Sequence, residues 1–147
     1  MEILKLDNQI CFPLYALSRK VICYYQPMLD ELNLTYPQYL VMLLLWERKT
    51  LSVKELGQHL LLDSGTLTPL LKRLEERGLV TRTRSKEDER VVLIALTSEG
   101  KDLKKQAKKV PAQLLDSLGV DEKQLQRLKM QLTEMLDGII AKEKEGQ

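Results

Sequence analysis

The segment from Ser52 to Leu96 constrains this chain most. It opens with Ser52-Val53-Lys54-Glu55, a serine followed three residues on by a glutamate. In that pattern the two residues satisfy each other's free backbone amides at a helix start. The spacing predicts a short helix ending near Leu60. A second helix follows in "LDSGTLTPLLKRLEERG", capped by Asp63 or Ser64 and stopped by Gly78. On it Leu67, Leu70, Leu71 and Leu74 form one apolar stripe. Next, "LVTRTR" and "VVLIALT" flank the charged tip "SKEDER", two β-prone runs that read as a hairpin. A short capped helix, a tight turn, a second helix with a polar outer face and a hairpin directly after it make a winged helix-turn-helix pattern.

Helices are expected on both sides of this block. From about Phe12 to Leu32, the residues Leu14, Leu17, Val21, Met28 and Leu32 recur at spacings of three, four and seven. Pro13 has no amide to donate and belongs in a first helical turn, which puts Cys11 at or just before the helix N-terminus. Pro37 marks another start, continued by the mostly buried "QYLVMLLLWER". After the hairpin, Thr97 or Ser98 caps a helix that Pro111 breaks or kinks. Gly119 marks a further break, and Asp121 caps the last helix. There Leu125, Leu128, Leu132, Met135 and Ile139 repeat at three-four spacing, a seam suited to pairing with another helix. The expected fold is mostly α with a small β-hairpin: a winged helix-turn-helix at 36–97, flanked by helical segments at 6–35 and 98–147.

Composition excludes several classes. A chain of 147 residues, 44% apolar and 30% charged, is an ordinary globular mixture of one-domain length. The longest apolar run, "YLVMLLLW", falls well short of the roughly 18 residues of a membrane span. "MEILKLDN" carries acids early and lacks the apolar core of a secretory signal. Cys11 and Cys23 form no metal-ligand cluster, and the single histidine, His59, has no ligating neighbours. No cofactor or metal is therefore expected, and the default setting is cytoplasmic and reducing. Net charge is only +2, so any nucleic-acid reading must rest on local pattern.

That pattern exists. With the leucine stripe facing inward, Thr66, Thr68, Pro69, Lys72, Arg73 and Glu76 face outward on the second helix. Small hydroxyls followed by Lys-Arg suit a helix in a major groove, where hydroxyls bond base edges or phosphates and cations neutralise the backbone. From Ser64 to Arg90 there are seven Lys/Arg and five Asp/Glu. Arg82 and Arg84 alternate on one face of the first hairpin strand. Arg90 lies across the tip, placed for a minor groove, and Asp88 beside it is expected to bond it and hold its rotamer. The bland alternative is a winged helix with merely solvated faces.

"LDSGTLTPLLKRLEERGLVTR" followed by "DERVVLIALTSEG" resembles the MarR family of winged-helix repressors. "NQICFPLYALSR", "YYQPMLDELNLTYPQYLVMLLLWE" and "LDSGTLTPLLKR" together resemble its organic-hydroperoxide-resistance branch, from about Leu6 through the last helix. The resemblance implies a homodimer whose flanking helices, 6–35 and 98–147, dimerise. It also implies a pseudo-palindromic duplex operator and an organic hydroperoxide as the signal. Cys11 occupies the sensor position. Tyr25 and Tyr36 match tyrosines that bond the sensor sulfur, and Tyr15 matches a nearby tyrosine. The family's DNA contacts map onto Ser64, Thr66, Thr68, Lys72, Arg73 and Arg90. Two departures stand out: Pro13 replaces a small or aliphatic residue, and no resolving cysteine follows Cys23. Oxidised Cys11 is then expected to condense with a small cellular thiol or a backbone nitrogen, or to over-oxidise.

Helix geometry bears on the sensor. With a rise of about 1.5 Å per residue, Tyr15 lies about 6 Å along the axis from Cys11 on the same face. Tyr25 lies about 21 Å away on one helix, so it can reach Cys11 only from the other subunit. Cys23 lies about 18 Å away, beyond the roughly 7 Å between Cα atoms that a disulfide tolerates. It reads as a passive buried thiol. The rival readings are a repressor relieved by a reversibly bound aromatic ligand and, with less support, a thiol peroxidase. The latter lacks a resolving thiol and leaves the winged helix unexplained.

Overall fold

A computed structural model describes residues 2–147. Residues up to Pro111 form one compact unit and 112–147 a second.

In the first unit, a 3-10 turn at Leu6–Asn8 leads into α1, Cys11–Glu31. The lead is tied to itself: Asn8 Nδ2 donates to Glu2 O and Gln9 Nε2 to Ile3 O, both at 2.6 Å. Pro13 is the third residue of α1, inside the first turn, where its missing amide has no helical acceptor to serve. Only the C-terminal end of α1 is buried, at Met28 and Leu29, while Phe12, Leu14, Leu17, Ile22 and Tyr24 are exposed. Helix α2, Tyr36–Arg48, starts with a full capping box between Thr35 and Gln38 and has Pro37 in its first turn. It buries Val41, Met42 and Leu45 completely.

Strand β1 (Thr50–Ser52) leads into α3 (Val53–Leu60), then come α4 (Ser64–Glu76), β2 (Val80–Arg84) and β3 (Val92–Leu96). The sheet is antiparallel in the order β1-β3-β2, with Leu51 opposite Ile94 and Arg82 opposite Ile94 on the other side. The hairpin expected from sequence is therefore a three-stranded sheet. Three residues are too short to show an alternating pattern, and β1 exists because β3 pairs with it. Ser52 ends β1 and caps α3, accepting from Glu55 N at 3.0 Å. The Glu55 carboxylate returns to the Ser52 hydroxyl at 3.1 Å rather than to its backbone amide.

Between α3 and α4 the chain turns through Leu61 at φ 56°. The helices approach so closely there that a Cβ on Gly57 would lie 2.7 Å from Leu62 O and 3.3 Å from Leu67 Cδ1. Asp63 caps α4, accepting from Thr66 N at 2.7 Å. Leu67, Leu71 and Leu74 are at most 1% exposed, each burial stabilising by roughly 1.5–3 kcal/mol. Leu70 is half-buried, so the stripe is narrower than its spacing suggests. Thr97 caps α5, Ser98–Ala107, and its hydroxyl also donates to Gly78 O at 2.6 Å. The indole of Trp46 donates to Gly100 O at 2.8 Å. Helix α6, Val110–Leu118, begins just before Pro111, so this proline starts a helix at the expected break.

The second unit holds the rest of α6 and α7, Glu122–Glu145, capped by Asp121. On α7 Leu125 and Leu128 are half-buried, and Leu132, Met135, Leu136 and Ile139 are exposed. No helix among the described residues is long and apolar enough to cross a membrane.

Candidate DNA interface and thiol site

The helix-turn-helix and the hairpin bring part of the expected DNA set together. Ser64 and Thr68 of α4 share with Arg82 and Arg90 a cleft of about 630 Å³, closed by Lys54, Gly57 and Gln58 of α3. Thr68 Oγ1 donates back to Ser64 O at 2.7 Å, which leaves its lone pairs outward. Thr66 and Lys72 are exposed. Arg73 is exposed as well, but on the other flank of α4, where it lines a separate cleft with Asp30, Thr35 and Arg77. The outward residues thus straddle the helix.

The hairpin arginines divide by role. Arg90 projects with its side chain 90% exposed. Its Nε and a terminal nitrogen donate to the two Asp88 oxygens at 3.1 and 3.3 Å, and its amide donates to Oδ1 at 3.1 Å. These bonds hold the Asp88 carboxyl below its usual range. The acid at the tip therefore pre-orients the cation, as its position suggested. Arg84 donates to Glu89 O at 2.9 Å and closes the tip. Arg82 is half-buried, with its Nε enclosed and without a hydrogen-bond partner among the described residues. The sequence set Arg82 and Arg84 on one face of the strand. The fold turns Arg82 against the cleft and uses Arg84 on the backbone. Sequence offered no signal for a further link, Arg82 N donating to Glu75 Oε2 at 3.2 Å, which ties α4 to β2.

Cys11 is the first residue of α1 and is exposed. The N-cap residue Ile10 makes no side-chain cap, so the first-turn amides stay open. Tyr15 is exposed one turn on, with the Arg19 guanidinium 5.5 Å from its ring centroid. Tyr25 and Tyr36 lie together, ring centroids 5.0 Å apart, and the buried Tyr39 completes the group at 5.8 and 6.4 Å. Burial, then the Tyr36 and Tyr39 phenols, push Tyr25 up to about 12. Burial also raises Tyr36 and Tyr39. All three remain neutral hydrogen-bond donors near neutral pH. Cys11 and Tyr25 occupy one continuous helix, so the axial distance between them stands. Cys23 is exposed rather than buried, because α1 packs on this unit only through its C-terminal end. Among the described residues no His/Cys/Asp/Glu group is arranged to hold a metal ion.

A capped helix pair, a wing and an outward cation define a winged-helix DNA-binding regulator. Residues 23–107 match the family described as transcriptional regulator SarA/Rot. The chain is 54% identical over 134 residues, 91% of either chain, to the organic hydroperoxide resistance transcriptional regulator of Bacillus subtilis strain 168. It is similar to reduced AbfR bound to DNA, at 37% identity and TM-score 0.74, covering 92% of this chain and 94% of that one. It is also similar to AbfR of Staphylococcus epidermidis, at 36% identity and TM-score 0.76 with the same coverage. The chain belongs to this family of MarR/SarA-type winged-helix transcriptional regulators, in the group of the organic hydroperoxide resistance regulator.

Proposed function

We propose that this protein is a homodimeric transcriptional repressor that holds a pseudo-palindromic operator when reduced and releases it when an organic hydroperoxide oxidises Cys11. The observation that carries this is an exposed cysteine at the first residue of α1 in a winged-helix chain so similar to the Bacillus subtilis regulator. AbfR is bound to DNA in its reduced form and also in its overoxidized form, which supports reduced protein as a binding state and points to the thiol adduct, more than oxygenation of the sulfur alone, as the releasing form. We read the chain as a regulator rather than an enzyme, acting in the cytoplasm.

Each α4 enters a major groove with Ser64, Thr66, Thr68, Lys72 and Arg73, and each Arg90 enters an adjacent minor groove. Arg82, Arg84 and Asp88 shape and orient the wing. The dimer forms through 6–35 and 98–147, whose exposed apolar residues on α1 and α7 would be covered, and 36–97 reads the DNA. In the dimer, Tyr25 and Tyr36 of one subunit donate to the Cys11 sulfur of the other, with Tyr15 alongside. The sulfur attacks the distal peroxide oxygen, a sulfur–oxygen bond forms as the oxygen–oxygen bond breaks, and the proximal oxygen leaves as an alcohol after taking a proton. The sulfenic acid then condenses with a small thiol, releasing water. The adduct at the subunit junction alters the spacing of the two α4 helices and uncouples the half-sites.

The test titrates a duplex, selected from a random pool by the reduced protein, with wild type and Cys11→Ser. Each is run with and without cumene hydroperoxide plus a small thiol. Wild type should lose the duplex and Cys11→Ser keep it. If both keep it, peroxide sensing is wrong. If both lose it, the oxidant acts elsewhere, with Cys23 next to be replaced.

A further inference from the structure

Arg77 ends α4 and reaches the far end of α1. One terminal nitrogen donates to Leu32 O at 3.1 Å and the other to Asn33 O. These carbonyls lie where α1 has run out of helical donors, at the negative end of its dipole, so a cation there is doubly favoured. Among the described residues the hydrogen-bond acceptors of the Arg77 guanidinium are these two carbonyls. Burial pulls its guanidinium below the usual value, and it stays charged.

Both pieces that Arg77 joins are stiff. Asn33 adopts φ 53° while its amide donates to Asp30 O and that of Leu34 to Leu29 O, each at 3.0 Å. Leu32 and Leu34 on either side are 2% and 4% exposed. At the end of α4, Gly78 N donates to Glu75 O at 2.9 Å and Leu79 N to Leu74 O at 3.1 Å. The clamped turn also sits between Tyr25, near the end of α1, and Tyr36, which opens α2. This turn is the covalent link between the two segments that hold those phenols. One helical turn before Arg77, Arg73 shares with Asp30 and Thr35 an open cleft of about 360 Å³ beside this turn.

We propose that Arg77 is a positioning residue that transmits the state of the tyrosine pair to α4, by holding the end of the sensor helix and the end of the DNA-reading helix as one body. The Glu75–Arg82 bond extends that body to the wing. The proposal rests on Cys11 being the switch, and it locates the lever that the switch moves.

Arg77→Met removes both donors and keeps the aliphatic stem. Arg77→Lys keeps the charge but replaces the two-nitrogen fork with a single nitrogen. For wild type and both variants, operator affinity is measured reduced and after cumene hydroperoxide plus thiol, with Cys11 modification followed by mass. Wild type should weaken by about thirty-fold on oxidation, within the usual range of coupling between sites. Arg77→Met should weaken by less than about three-fold while Cys11 is modified to the same extent, and Arg77→Lys should fall between. A merely structural arginine would lower both affinities together and leave their ratio alone. A wild-type ratio in the variants that fold, with Cys11 modified, overturns the proposal. Should Arg77→Met not fold, Arg77→Lys decides by the same ratio. Wild type that stays bound with Cys11 oxidised would overturn the switch and the lever together, so the two failures are distinct.

Discussion

The winged region and the N-terminal half of α1 treat apolar surface in opposite ways. From α2 to β3 the chain buries its leucines against itself and satisfies its helix starts locally through Thr35, Ser52 and Asp63. Along α1, Phe12, Leu14, Tyr15, Leu17, Ile22 and Tyr24 remain between 38% and 59% exposed. The winged part is finished within one chain, whereas the thiol-bearing part leaves its apolar face uncovered. Under the proposed function, a sensor on such a surface would report directly on how two subunits meet, because its surroundings would exist only when they do.

Core truncation should break this contrast most visibly. Leu74→Ala, at a site with no exposure, should lose about 2–5 kcal/mol in urea melts. Leu17→Ala, 45% exposed, should change the intrinsic unfolding free energy of the single chain by under about 0.5 kcal/mol yet raise the dimer dissociation constant. An equal, concentration-independent loss at both sites would mean α1 is stabilised within its own chain.

Next comes the wing. Arg90→Ala should weaken operator binding by about 1–3 kcal/mol and reduce the salt slope by about one, whereas Arg84→Ala, which frees only the tip, should do less. Equal losses would show that tip order and not the projecting cation carries the contact.

The smallest effect sharpens the comparison at the tyrosine group. Tyrosine absorbance should show its latest step near pH 12, lost in Tyr25→Phe, while Tyr36 and Tyr39 still ionise above the ordinary value. Because the folded value lies above the ordinary 10.0, the unfolded chain ionises first. The stability linked to Tyr25 is complete below pH 10 and is lost as pH rises through about 12. A single step near 10 would mean the phenol is solvated.

Much of this was legible in the chain. Asp63, Thr97 and Asp121 cap helices because a short oxygen-bearing side chain before an apolar stripe has only local amides to satisfy. Asp88 beside Arg90 carried its own explanation, two residues apart on a tight tip. The T-x-x-Q box at Thr35–Gln38 was present in the sequence but obscured by the stronger signal of Pro37. Other features had no local signature. Strand β1, the inward turn of Arg82, the exposure of Cys23 and the separation of Arg73 from Ser64 and Thr68 depend on what lies across the fold.

Sequence by itself determined the order of helices and hairpin, the helix starts, the apolar stripe of α4 and the position of Cys11 at the head of α1. Each rests on neighbours within about four residues, the reach of helical and turn hydrogen bonds. Only the tertiary structure decided that Tyr25, Tyr36 and Tyr39 gather, that Arg82 folds inward, and that Arg77 holds carbonyls 45 and 44 residues away. Those contacts join elements distant in the chain, and long flexible side chains such as arginine find their partners only after packing has placed the acceptors.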